Sequence, residues 1–184
     1  MKIAISGAQG VGKTTLLEEL KKEFQEFEFI QEITRTLKNQ GFKINKDGND
    51  ETQLAILKAH ISNLKKDNFI TDRCLLDCAV YTRYLYNRGT VTKEILEKIE
   101  TALFKNISKY DVIFYIRPEF DIEDDNVRDT DIEFRNIIVD LFDYYINLTE
   151  IKPIILSGSV NERVQQFLDL SNKFISKEFK NNFY

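Results

Sequence analysis

The chain has 184 residues, 42% of them hydrophobic, which suits one domain with a real core. No apolar run is long enough to span a bilayer, and no secretion signal precedes a glycine-rich pattern that starts at Gly7, so a cytoplasmic location is expected. The formal net charge of -4 lacks the basic excess of a protein that works on nucleic acid, and small-molecule partners are expected instead.

In chain order, "KIAIS" (Lys2 to Ser6) reads as a buried strand. It runs into Gly7, Gly12, Lys13 and Thr14 at the spacing G-x-x-x-x-G-K-T, and Leu16, Leu17, Leu20 and Phe24 then mark one face of a helix. "FEFIQE" (Phe27 to Glu32) is the second strand, followed by a glycine-bearing loop and a helix marked by Leu54, Leu57, Ile61 and Leu64. "NFITD" (Asn68 to Asp72) is the third strand, and "DVIFYI" (Asp111 to Ile116) is the fourth. An acid-rich stretch, Arg117 to Asp131, separates the fourth strand from a helix marked by Phe134, Ile137, Ile138, Leu141, Tyr145 and Leu148. "KPIILS" (Lys152 to Ser157) is the fifth strand, and the tail beyond it reads equally as a last helix or a frayed end. Short apolar strands alternating with helices predict an α/β three-layer sandwich, a parallel sheet with helices on both faces. Cys74, Cys78 and the single histidine, His60, fall short of a zinc site, which needs about four ligands; two buried thiols are expected.

A strand before the glycine pattern and a helix after it identify a phosphate-binding loop for a triphosphate. Gly7 lets the chain turn sharply off the strand, and Gly10, Val11 and Gly12 carry the turn whose backbone N–H groups face an anion. Lys13 places a charge on the outer phosphates, Thr14 offers its hydroxyl to Mg2+, and Thr15 stands near the α-phosphate. The Mg2+ also needs a carboxylate at the end of a neighbouring strand, which Asp72 supplies; Asp111 begins its strand and belongs to the wrong edge. Glu32, closing the second strand, faces the same cleft. Arg73 adjoins Asp72, Arg35 lies one helical turn from Glu32, and Arg128 lies in the acid-rich stretch with Arg135 further on. Cations placed in this way suit phosphoryl transfer, and an arginine on a lid excludes the water that would otherwise consume ATP. Lys13, Glu32, Asp72, Arg73 and Arg128 are therefore the candidate catalytic residues.

The stretches "ISGAQGVGKTTL", "FIQEITR", "ITDRCLLDCAVYTRYL", "VIFYIRPE", "VRDTDIEFR" and "ILSGSVNERV" resemble P-loop nucleoside and nucleotide kinases. More narrowly, they resemble the small AAA-type P-loop family that includes the kinase domain of the bacterial NAD-metabolism regulator and phage deoxynucleoside monophosphate kinases. The resemblance implies a five-stranded parallel core with the third strand beside the first. It implies one kinase domain over residues 1–184, with an acceptor-binding insert at 33–66 and a lid at 117–131. ATP would sit on the P-loop with its adenine against the loop holding Gly158 and Val160. The acceptor would lie near Glu32, Arg35 and Arg73. No N-K-x-D motif of a GTPase is present. Thymidylate kinases carry an aromatic residue after their "DR", where this chain has Cys74, so the acceptor base cannot be copied from them.

The leading expectation is transfer of the ATP γ-phosphoryl group to a (deoxy)nucleoside monophosphate, with Arg35, Arg73 and Arg83 as clamps for its phosphate. A nucleoside acceptor, ribosylnicotinamide among them, stays close behind, because Glu32 or Asp72 could serve the hydroxyl as base. A kinase of modified bases or ends in DNA, and a P-loop ATPase or switch that transfers to water, are the other classes. The oligomeric state is open, a homodimer included.

Overall fold

The computed structural model describes residues 1–119 and 132–181. Five strands lie among them: β1 (Lys2–Gly7), β2 (Glu28–Ile30), β3 (Phe69–Asp72), β4 (Val112–Ile116) and β5 (Ile154–Leu156). All pair in parallel in the order β2-β3-β1-β4-β5. The α/β sandwich and the third strand's place beside the first are thus as expected. Ile3, Ala4, Ile5, Phe69, Ile70 and Phe114 are almost wholly buried, as strands covered on both faces require.

The helices are α1 (Lys13–Glu23), α2 (Ile33–Asn39), α3 (Asp50–Asn63), α4 (Leu75–Asn87), α5 (Lys93–Asn106), α6 (Ile132–Thr149) and α7 (Val160–Asn181). Leu16, Leu17 and Leu20 turn α1 onto the sheet with no exposure at all. Asn49 caps α3 by accepting from the Thr52 N–H at 3.0 Å. Cys74 and Asp77 form a reciprocal capping box that starts α4 immediately after β3. The tail resolves as the long helix α7, anchored by Phe167, whose ring meets those of Phe24 at 5.6 Å and Phe114 at 4.5 Å.

Strand ends shift by one or two residues from the sequence reading, and two of these shifts bear on the site. β2 stops at Ile30, so Glu32 is the residue that caps α2 and not a strand residue. It is an edge strand paired only with β3, and its ladder ends where that pairing ends. Asp111 lies just before β4 and accepts the Lys2 N–H at 2.6 Å, which keeps it at the amino edge of the sheet. Both thiols are buried, as expected, and their desolvation pushes their pKa values up.

Candidate active site

The carboxyl ends of β1, β3 and β2 meet at one edge, the place where open α/β sheets gather ligands. Gly7 closes β1 so near β4 that a Cβ would stand 2.5 Å from the Ile116 carbonyl oxygen; only glycine fits. Gly12 begins α1 with φ 84°, turning the first N–H groups of the helix into the loop. Lys13 is buried, and its Nζ donates to the carbonyls of Gly7 at 2.9 Å and Ala8 at 2.6 Å. Burial, reinforced by the nearby Arg73 charge, pulls its pKa down to about 8. Thr15 is exposed on the outer side of the first turn of α1.

Thr14 Oγ1 donates to Asp72 Oδ2 at 2.9 Å. Burial raises the Asp72 pKa, against the pull of Lys13 and Arg73, and its second oxygen, Oδ1, is buried without a hydrogen-bond partner. A hydroxyl beside a carboxylate with an unsatisfied buried oxygen fits Mg2+, a hard cation that takes one or two protein oxygens and completes its shell with phosphates and water. Among the described residues no cluster of three or more His, Cys, Asp or Glu could hold a metal by itself.

Arg73 is the hub of the cleft. Its backbone has φ 72°, a left-handed conformation that is costly for a side chain this large, and its N–H is tied to the Ile5 carbonyl at 2.9 Å. That turn throws the guanidinium back over the cleft. Nε donates to Glu32 Oε1 at 2.7 Å, Nη1 donates to Asp77 Oδ1 at 3.3 Å, and the cation lies 4.9 Å from the centre of the Tyr81 ring. Burial pushes the Glu32 carboxyl up, but the Arg73 charge, the Thr34 hydroxyl and Lys13 outweigh it and hold its pKa at about 2. Asp77 is held further by the Ser6 hydroxyl at 2.6 Å and the Cys74 N–H at 3.0 Å.

Arg35 reaches the same corner: its Nη2 stands 3.4 Å from Thr14 Oγ1 and its Nε 3.6 Å from Glu32. Arg83 does not. It sits across α4, α5 and α6, bonded to Glu100 and to the Tyr145 hydroxyl, so the expected clamp loses this member. Its place on α4 turns it to the face opposite Arg73. Arg128 and most of the 117–131 segment lie outside the described residues. Beside Arg73 lies a pocket lined by Ile33, Gln53, His60, Asp77, Cys78 and Tyr81, with a free volume of about 30 Å3, room for about two waters. Burial pulls the His60 pKa down to about 4, so the pocket wall is neutral there at pH 7.

Residues 2–163 match the AAA domain family. The chain belongs to that family. A search of curated proteins finds no match to this AAA domain. Among solved structures it is similar to the deoxyadenosine kinase of M. mycoides bound to dCMP and dCDP, at 19% identity and TM-score 0.69, covering 95% of this chain and 100% of that one. It is similar to NadR in complex with NR, at 18% identity and TM-score 0.72, covering 93% of this chain but only half of that one. The thymidylate kinase of Candida albicans follows at 17% identity and TM-score 0.64, covering 93% of this chain and 91% of that one. At these identities the likeness carries the fold.

In this AAA domain, four residues at the site carried no sequence signal of their own. Asp77 is the second carboxylate on Arg73. Arg163, on α7, is buried; its Nη1 donates to the Val11 carbonyl at 2.7 Å and its Nη2 stands 3.4 Å from Glu119. Glu119 also accepts the Gly158 N–H at 2.7 Å, so the P-loop, the end of the β4 strand connection and the Gly158 to Val160 loop are joined through one guanidinium. Gln9, inside the P-loop, accepts the Tyr81 hydroxyl at 3.0 Å. No helix among the described residues is long and apolar enough to cross a membrane.

The depressed Lys13 pKa has a measurable consequence. Below pH 8 the ammonium is already charged when a nucleotide arrives; above pH 8 a proton must be taken up first. The Kd for ATP is expected to rise about tenfold per pH unit above pH 8. Calorimetric titration from pH 7.5 to 9.5 reads this slope, and Lys13→Arg, whose side chain stays charged, should flatten it.

Proposed function

We propose that this protein is an ATP-dependent kinase that transfers the γ-phosphoryl group to a hydroxyl of a small nucleoside-type acceptor. The observation that carries the acceptor assignment is the Glu32–Arg73–Asp77 cluster: the guanidinium at the mouth of the pocket is already shared between two carboxylates. An incoming phosphate would have to displace them, whereas a hydroxyl group can donate directly to Glu32. The pocket behind it is apolar on Ile33, Ile56 and Cys78 and polar at Gln53 and Asp77, the mixture that suits a base and a sugar. It would have to widen to admit one. The fold it shares with a deoxyadenosine kinase, and with NadR in complex with NR, supports the same reading.

In this scheme ATP lies on the loop Gly7 to Thr15, with Lys13 on the outer phosphates. Thr14 and Asp72 would hold Mg2+, which neutralises charge on the β- and γ-phosphates when bound. Gly158 and Val160 border the adenine end. The acceptor oxygen attacks the γ-phosphorus, the bond to the ADP oxygen breaks, and the hydroxyl proton passes to Glu32. Glu32 is a weak base at a pKa of about 2, so its main work is to orient the hydroxyl. A loose transition state needs little more, because the proton leaves late. Arg35, beside Thr14, supplies positive charge near the transferring group, and residues 33–66 border the acceptor.

Glu32→Gln keeps the shape but loses the negative charge that orients the hydroxyl and finally receives its proton, and should lower kcat by at least about 100-fold with ATP affinity unchanged. A panel of nucleosides and nucleoside monophosphates, with ADP and phosphorylated product both measured, names the acceptor. The second reading, a monophosphate acceptor, is favoured by Arg35, whose side chain is 64% exposed and stands beside Thr14. Turnover of monophosphates alone, with Glu32→Gln fully active, would replace the first reading by the second. Steady ATP hydrolysis that no acceptor stimulates would overturn both.

A further inference from the structure

We propose that the side chain of Gln9 is a binding group for the γ-phosphoryl of ATP, held in the correct orientation by Tyr81. This rests on the reading of Gly7 to Thr15 as the nucleotide loop and needs no particular acceptor. Two observations place Gln9 between the phosphates and the acceptor pocket. On one side, the carbonyl of its neighbour Ala8 accepts from Lys13 Nζ at 2.6 Å, so Gln9 adjoins the ammonium that serves the outer phosphates. On the other, Gln9 Oε1 accepts from the hydroxyl of Tyr81, a residue that lines the pocket beside Arg73.

The amide is only half used. Gln9 Nε2 is buried and has no hydrogen-bond partner. A buried donor left unsatisfied is costly, and such groups are retained where a ligand completes them. A phosphoryl oxygen only accepts, so the amide must present its nitrogen and keep its oxygen away. The Tyr81 hydroxyl does this by donating to Oε1: the neighbouring Arg73 cation attracts its lone pairs and leaves its proton for the amide oxygen. Tyr81 is itself braced by the Arg73 cation 4.9 Å from its ring centre. Lys13 now spends its ammonium on the loop's own carbonyls and has to turn outward to hold a phosphate. The proposal requires this opening to expose Nε2 as well, which is buried in the resting loop.

The test compares ADP with the non-hydrolysable triphosphate AMP-PNP, each with Mg2+ and with no acceptor present, by calorimetric titration. Gln9→Met keeps the length of the side chain and removes the amide. The preference for AMP-PNP over ADP should fall about tenfold in Gln9→Met, the size of one hydrogen bond to a charged group, with ADP affinity unchanged. Tyr81→Phe should lower the same preference about threefold, because the amide is then free to turn its oxygen inward. The melting temperature of nucleotide-free Gln9→Met should fall no further than that of Tyr81→Phe, since both lose the same Tyr81–Gln9 hydrogen bond and Nε2 had no partner to lose. An unchanged preference in Gln9→Met overturns the proposal, and so does an equal weakening of ADP and AMP-PNP, which would make Gln9 a support of the loop. A failed acceptor panel would overturn the kinase reading without touching this result.

Discussion

Lys13→Ala is expected to reduce phosphoryl transfer by at least about a thousandfold while leaving the protein folded. In the proposed scheme the residue supplies the positive charge nearest the outer phosphates, and electrostatic stabilisation of the transferring group is the main catalytic resource in this chemistry. Its removal does little harm to the fold, because the folded protein holds this ammonium at a loss. Burial brings its pKa from 10.5 to about 8, so folding disfavours the charged form. Between those two pH values the unfolded chain binds the extra proton, and the stability of the wild type therefore rises with pH from about 8 to 10.5. That rise should disappear in Lys13→Ala. Circular dichroism melts across this window, beside a transfer assay at pH 7.5, measure both effects. Residual transfer near the wild-type rate would remove the P-loop from the mechanism.

Arg73→Leu is expected to damage stability and activity together. It leaves Glu32 and Asp77 inside the cleft with no guanidinium between them, and breaking such a buried pair costs about 3–5 kcal/mol. The pKa of Glu32, held at about 2 chiefly against burial by Arg73, should then rise. Two controls separate charge from backbone. Arg73→Gly loses the same charge but relieves the left-handed φ of 72°, so it should be about 1 kcal/mol more stable than Arg73→Leu. Adding Glu32→Gln to Arg73→Leu removes one stranded carboxylate and should restore part of the loss. Urea unfolding of the four proteins reads all of this; an Arg73→Leu variant as stable as the wild type would show that the cluster holds nothing together.

Sequence spacing reached far in the first strand and its loop. A strand, the G-x-x-x-x-G-K-T pattern and an amphipathic helix are local features, and local features are what one chain position after another can express. Asp72 was legible for a related reason: a carboxylate at the end of an apolar strand has few places to point in a parallel sheet. Glu32 was legible as a cleft residue but was read as the end of a strand, whereas it caps α2, because β2 ends with its only partner ladder. Arg83 failed as a clamp since its side of α4 faces α5 and α6, and helix rotation about its own axis is set by packing against neighbours. Arg163 gave no sign at all; it is one arginine in a helix until α7 folds back 152 residues later onto Val11.

The amino-acid sequence by itself determined the strand and helix alternation, the phosphate cradle, the carboxylate at the end of β3 and the formal net charge of -4. Only the tertiary structure decided how the charges in the cleft are divided. It gave Arg73 to Glu32 and Asp77, turned Arg83 away, tied Gly158 to the P-loop through Glu119 and Arg163, and left the Gln9 amide facing inward with one half unused. The reason is that an ion pair or a buried donor depends on distances between segments far apart in the chain, and spacing along the chain does not encode them.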